Sequence, residues 1–295
     1  MKAAPFDYAR PHTLTEALNL LASAGEDERR ILAGGQTLVP MLAMRLARPK
    51  MLIDINRIDE LQGISLEAGS VAIRACTRQR AAERSDLVHG RLPLLARAIA
   101  CVGHQQTRNR GTVGGSIANA DPAAEIPLVA VTLDAEMRVR SSSAARSIAS
   151  SDFFITEMTT AMGSEECLVE ARFPVWKDDR TGCSFEEVAI RAGDFAIVAA
   201  AVQVALAPDG TCRRIALGIG GASPAPLRCG EVEGALIGTN LDPRLVAETC
   251  ATIAELVEPE TDVHATADYR RRVAPRIAAR AIAAAMNDAN ARQAA

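Results

Sequence analysis

Three short segments hold the residue types from which a ligand site could be built. The first is Leu32-Ala33-Gly34-Gly35-Gln36-Thr37-Leu38, where an apolar run ends in two glycines and two polar side chains. Glycines at a strand end let the backbone approach a ligand closely and reach positive φ. Amides opened by such a turn, with a helix starting behind them, can cradle an anion. Gln36 and Thr37 add side-chain donors, so the segment reads as a phosphate or diphosphate loop, or as a plain tight turn. It is neither the G-x-G-x-x-G fingerprint nor a P-loop, which needs a Lys. The second segment runs from Asn109 to Glu125 and holds Thr112-Val113-Gly114-Gly115-Ser116, a second candidate nest of backbone donors. Asn119, Asp121 and Glu125 follow it as acceptors. Donors suit a diphosphate, and acceptors suit ribityl, ribose or adenine groups. The third, Arg191-Ala192-Gly193-Asp194-Phe195-Ala196, places an Arg and an Asp around a glycine. It is either a local ion pair fixing a loop or a turn lying against one face of a bound ring.

Other chemistries lack their residues. H-E-x-x-H, G-x-S-x-G and Walker patterns do not occur. The seven cysteines are widely spaced with no C-x-x-C, and the four histidines are scattered. Neither a disulfide framework, a zinc ribbon nor a local iron–sulfur cluster is encoded. With 33 basic and 36 acidic residues the net charge is −3, which argues against a dedicated nucleic-acid binder. Aromatic residues are 3 %, too few for base-stacking platforms. No run of ~18 apolar residues suggests a spanning helix, and the first residues lack a signal-peptide core. A cytoplasmic protein without membrane insertion is expected.

The elements that must position these segments follow from length and patterning. A chain of 295 residues suggests two domains. Thr13 and Glu16 have capping-box spacing before Leu14, Ala17, Leu18 and Leu21, with Gly25 expected to end that helix. Ile31–Ala33 and Met51–Ile55 read as buried strands around a short helix from Leu38, a small βαβ-like unit. Val71–Ala75, Glu136–Arg140 and Cys167–Phe173 read as strands, and Leu92–Val102 as a helix with Pro93 in its first turn. A boundary is placed in Val175–Gly182. Beyond it come a strand over Phe195–Leu206, a turn at Pro208-Asp209-Gly210, a partner strand over Arg214–Ile219, and helices at about 230–237, 243–257 and 267–288. Arg270-Arg271-Arg272 on the last helix reads as a solvated or partner-facing basic face.

Taken together, Ala33–Thr37, Thr112–Ser116 with Asp121-Pro122-Ala123-Ala124-Glu125, and Arg191–Ala196 resemble the FAD-binding medium subunit of the molybdenum hydroxylases, the xanthine dehydrogenase and aerobic carbon-monoxide dehydrogenase family. Ala267-Asp268-Tyr269-Arg270-Arg271 resembles the end of its C-terminal domain. The resemblance implies an α+β fold: a two-lobed FAD-binding domain over 1–175 (lobes about 1–57 and 58–175), then a smaller α+β domain over 180–288 with an antiparallel sheet and helices. It implies noncovalent FAD in this chain, with [2Fe-2S] clusters in a small partner and molybdopterin in a large one, as a dimer of heterotrimers. Electrons would pass from the clusters through the flavin to NAD, a quinone or dioxygen, with no residue here acting as general acid or base.

Carried over residue by residue, Leu32, Ala33, Gly34, Gly35, Gln36, Thr37 and Leu38, with Thr112, Val113, Gly114, Gly115 and Ser116, match the loops that hold the diphosphate and neighbouring groups. Asp121 belongs to the same matched run. Glu125 matches an acidic position on the flavin's polar chain, and Leu168 an apolar position beside the adenine or the ring. Glu186 falls where some members place a Lys near the flavin, and a Glu cannot stabilise a reduced flavin anion as a cation would. Asp194 and Phe195 are candidates for the ring face that gates the acceptor. Two other readings are a self-contained flavoprotein oxidoreductase and a non-catalytic nucleotide-binding assembly partner.

Overall fold

A computed structural model describes residues 2–23 and 29–293. The chain opens with β1 (Asp7–Ala9), α1 (Leu14–Ala22), β2 (Arg29–Leu32), α2 (Leu38–Ala43) and β3 (Met51–Asp54). The strands form a parallel sheet ordered β1-β3-β2, so the expected βαβ unit is present, with β1 as a third strand. Thr13 caps α1 by accepting from the Glu16 amide at 3.2 Å, while the Glu16 carboxylate reaches back to the His12 amide at 2.9 Å. Gly25, expected to end this helix, lies outside the described residues; Ser23 is the C-cap. The apolar side of α1 closes a small core with Ile53, Ile55 and Ile58.

The next elements are β4 (Ile64–Glu67), β5 (Ser70–Arg74), α3 (Gln79–Glu83), α4 (Asp86–Arg91), α5 (Pro93–Cys101), α6 (Gln105–Arg110), α7 (Val113–Asn119) and α8 (Glu125–Thr132). Then come β6 (Glu136–Arg140), β7 (Ala145–Ala149), the single turn α9 (Ser150–Phe153), the hairpin β8 (Phe154–Thr156) and β9 (Thr159–Thr160), and β10 (Cys167–Pro174). An antiparallel sheet ordered β4-β5-β10-β6-β7 packs Val71, Ile73, Met137 and Val139 onto these helices. The apolar run before Leu133 is α8, every residue of which is buried.

The chain ends with β11 (Thr181–Val188), β12 (Val198–Leu206), β13 (Cys212–Gly220), β14 (Leu227–Arg228), α10 (Gly230–Leu236), α11 (Pro243–Ala251), α12 (Ile253–Leu256) and α13 (Ala267–Gln293). The strands form an antiparallel sheet in sequence order. All nine residues of β12 are buried. Its pleat sends Val198, Ala200, Val202, Val204 and Leu206 into a core with α13, and Ala199 and Ala201 into the core of α5 and α8. Small residues make the double packing fit. A Cβ on Gly182 would lie 2.2 Å from the Ala285 carbonyl of α13, and one on Gly218 would lie 2.2 Å from Thr132 Oγ1 of α8.

Two expectations are corrected here. Arg270 is buried, not solvated: its guanidinium donates to the Ile197 and Gly221 carbonyls at 2.6 and 2.7 Å and to Asp262 at 2.6 Å. It ties α13 to the ends of two strands whose carbonyls have run out of ladder. Phe195 does not begin β12. The strand starts at Val198, and Phe195 sits in the preceding loop, 66 % exposed.

Candidate functional site

The two glycine segments meet. A Cβ on Gly34 would fall 2.6 Å from the Arg110 carbonyl oxygen and 2.7 Å from Gly111 Cα, and one on Gly115 would lie 3.7 Å from Ala33 Cβ. Gly34 is therefore glycine because backbone passes where a side chain would start. Gly35 beside it has φ of 72°, the left-handed region that glycine enters without strain. The contact joins the parallel-sheet lobe to the helical lobe and leaves a cleft of about 310 Å³, lined by residues 32–36 of the first segment with Asp54, Asn56 and Arg110.

What the segments offer a ligand differs. The amides of Gly34, Gly35, Gln36, Thr37 and Leu38 donate to no group among the described residues. Thr37 precedes α2 without a side-chain capping bond, so its hydroxyl is open too. The Gln36 side chain folds back weakly onto the Gly34 carbonyl at 3.4 Å. Thr112–Ser116, by contrast, is not an open nest. It is the start of α7, and four of the five amides in the stretch, including those a helix start normally leaves open after its cap, are taken. Val113 donates to Thr77 O at 2.9 Å, Gly114 to Ala75 O at 3.0 Å, Gly115 to Thr112 Oγ1 at 2.9 Å and Ser116 to Thr112 O at 3.1 Å. Glycine is needed at 114 because a Cβ would sit 2.5 Å from Ala75 Cα. The Thr112 amide and the Ser116 hydroxyl donate to no group among the described residues.

Polar residues not singled out from the sequence hold the first segment in place. Asn56 donates to the Ala33 carbonyl at 2.8 Å and to Asp54 at 2.6 Å, and accepts from Arg78 at 2.7 Å. Arg78 also donates to the Arg110 carbonyl, bracing the two lobes. Asp54 is buried. Burial alone would push its carboxyl up, but hydrogen bonds from Tyr8 and Asn56 and the charge of Arg10 hold it below its ordinary value. The available signal was positional: Asp54 and Asn56 close the strand that lies between β1 and β2, where open sheets collect ligands.

Asp121 and Glu125 begin a second polar group. Glu125 is 6 % exposed, and burial, with repulsion from Glu187 and Asp121, pushes its carboxyl up to about 8. Asp121 is raised by burial despite the Ala123 amide at 2.9 Å. The strand pleat of β11 turns Glu186 toward α13, where Arg280 pairs with it at 2.7 Å, and turns Glu187 toward Cys101 and Glu125. The acid facing the helical lobe at close range is thus Glu187, raised by its own burial and with one buried oxygen unpartnered. Leu168 is buried in the large core. Arg191 and Asp194 form the local ion pair at 3.1 Å across Gly193, whose backbone leans on His104. Asp194 and Phe195 thus share a loop beside the start of α6, apart from the glycine segments.

A two-lobed α+β unit with open amides in the cleft, followed by an antiparallel sheet backed by a long helix, has the donors to hold an anionic group between its lobes. The chain belongs to the FAD-binding medium subunits of the molybdenum hydroxylases: residues 4–176 match the FAD binding domain in molybdopterin dehydrogenase, and residues 183–285 match the CO dehydrogenase flavoprotein C-terminal domain. It is 36 % identical to the 6-hydroxypseudooxynicotine dehydrogenase complex subunit alpha of Paenarthrobacter nicotinovorans, over 98 % of this chain and 97 % of that one. In solved structures it superposes on a chain of the carbon monoxide dehydrogenase of Hydrogenophaga pseudoflava (TM-score 0.93, 34 % identity, 99 % of each chain). It also superposes on one of quinoline 2-oxidoreductase from Pseudomonas putida 86 (TM-score 0.92, 34 % identity, 98 % of this chain and 99 % of that one).

Proposed function

We propose that the chain carries noncovalent FAD and relays electrons from [2Fe-2S] clusters of a small partner, within a complex whose large subunit holds molybdopterin, to NAD, a quinone or dioxygen. The observation that carries this reading is the row of five unpartnered amides from Gly34 to Leu38, of which Gly34, Gly35 and Gln36 line the cleft; the row fits a diphosphate. FAD, when bound, supplies a centre that takes electrons singly and gives them up as a pair. The residues here bind and orient. The amides and the Thr37 hydroxyl hold the diphosphate. Ser116, Asp121 and Glu125 serve the polar chain, and a carboxyl pushed up to about 8 keeps its proton at neutral pH and so can donate as well as accept. Leu168 supplies apolar packing, Glu186 stays bound to Arg280, and the loop at Asp194 and Phe195 limits acceptor access to the ring. Binding is assigned to 1–175 and packing against it to 180–288. The complex is a cytoplasmic dimer of heterotrimers; no helix among the described residues is long and apolar enough to cross a membrane.

The test is an absorption spectrum of the purified chain, with FAD measured in the acid supernatant, followed by co-purification from its own host. About one releasable FAD per chain, with two co-purifying subunits that bear iron–sulfur and molybdenum, is expected. A chain that takes up no flavin after reconstitution would move the assembly-partner reading forward. Oxidation of a small organic substrate by the lone chain would favour a self-contained flavoprotein.

A further inference from the structure

The open amides leave one electrostatic question in the cleft. They donate hydrogen bonds but bring no net charge, and the Asp54 carboxylate lines the same space. A diphosphate entering there is a dianion, so hydrogen bonds alone would leave the cleft with an excess of negative charge. Asp54 is already matched by Arg10 at 3.6 Å and by hydrogen bonds from Tyr8 and Asn56. Arg78 cannot turn outward, because its guanidinium is held by the Asn56 side chain and the Arg110 carbonyl.

The remaining cation is Arg110, which lines the cleft and whose guanidinium has no hydrogen bond or ion pair among the described residues. Its backbone is fixed on two sides, by Arg78 and by the close approach of Gly34. We propose that Arg110 is the charge partner of the FAD diphosphate, and that Arg78 and Asn56 form a strut which holds it opposite the amides of Gly34–Leu38. Arg110 is thus a binding residue and Arg78 a positioning residue. A guanidinium suits the task, since its planar fork can bond two phosphate oxygens at once.

The inference rests on FAD being this chain's ligand, and the experiment separates the two. The full chain, freed of flavin, is titrated calorimetrically with FAD and with riboflavin, which has the ring and ribityl chain but no phosphate. Arg110→Gln is expected to weaken FAD by ~10-fold or more and to leave riboflavin within ~2-fold, with Arg110→Lys falling between. Wild-type affinity for FAD, but not for riboflavin, should also drop from ~20 to ~500 mM KCl as the charge is screened. This series needs no variant to fold. Wild-type chain that binds FAD with no salt dependence, or Arg110→Gln that changes both flavins equally or neither, overturns the inference alone. Wild-type chain that takes up neither flavin overturns the proposed function itself.

Discussion

Gly34–Leu38 and Thr112–Ser116 look alike on paper, and the fold uses them in opposite ways. The first keeps five amides unpartnered beside a cleft; the second gives four of its five amides to Thr77, Ala75 and Thr112 and becomes a helix start. In both, glycine answers to crowding: at Gly34 the crowding comes from the second segment itself, and at Gly114 from β5's continuation at Ala75. A pair of glycines beside a Thr or Ser therefore does not define an anion cradle. The deciding feature is whether neighbouring carbonyls reach the amides first.

The sharpest way to break this comparison is Gly114→Ala. Ala is the better helix former by up to about 1 kcal/mol, yet its Cβ would sit within 2.7 Å of three Ala75 atoms. A net loss of ~2–3 kcal/mol in denaturant unfolding is expected, with FAD affinity of the folded fraction little changed. Gly34→Ala should do the reverse. The loop must move off Arg110, at a cost of about 1–3 kcal/mol, and FAD affinity in a binding titration should fall ~10–100-fold. Glu125→Gln carries the comparison to the acids that follow the second segment. Because burial raises Glu125 from 4.5 to about 8, the folded state holds a proton that the unfolded state has lost between those values. Its contribution is complete below about 4.5 and is lost as pH rises through about 8. Thermal melts should therefore show the Gln variant gaining on wild type from about pH 4.5 to about 8, by at least ~1–2 kcal/mol in total, and no further gain above that. Thr112→Ala is the mildest. It removes the cap on Gly115 and should lower stability by ~1 kcal/mol, while freeing one amide. A large specific loss of FAD affinity would show that Thr112 itself meets the ligand.

Much of the scaffold was legible because its signals are local: Thr13 with Glu16, Pro93 at a helix start, the alternation of Glu136–Arg140 and the apolar run of β12. Contiguity of the first glycine segment with a strand end was likewise readable. α7 was not, because Gly114 and Gly115 are poor helix residues that only tertiary contacts with Ala75 and Thr77 make favourable. Arg270 misled for a similar reason: three consecutive arginines give no sign that one points inward to two carbonyls and Asp262. The strut of Asn56, Arg78 and Arg110 joins residues distant in the chain, and its members are ordinary polar residues until the lobes meet.

The pleat of β12 has a thermodynamic consequence. Ala199 and Ala201 belong to the core of α5 and α8, while Val198, Ala200 and Val202 belong to the core of α13. Removing that strand from one side uncovers the other, so the two segments that match separate family models are expected to melt together, as one transition in calorimetry. The chain's sequence is modular, but its packing is not divisible between the modules. A mutation that loosens α13 is then felt as a lowered population of the binding-competent lobe, without any change in the cleft itself.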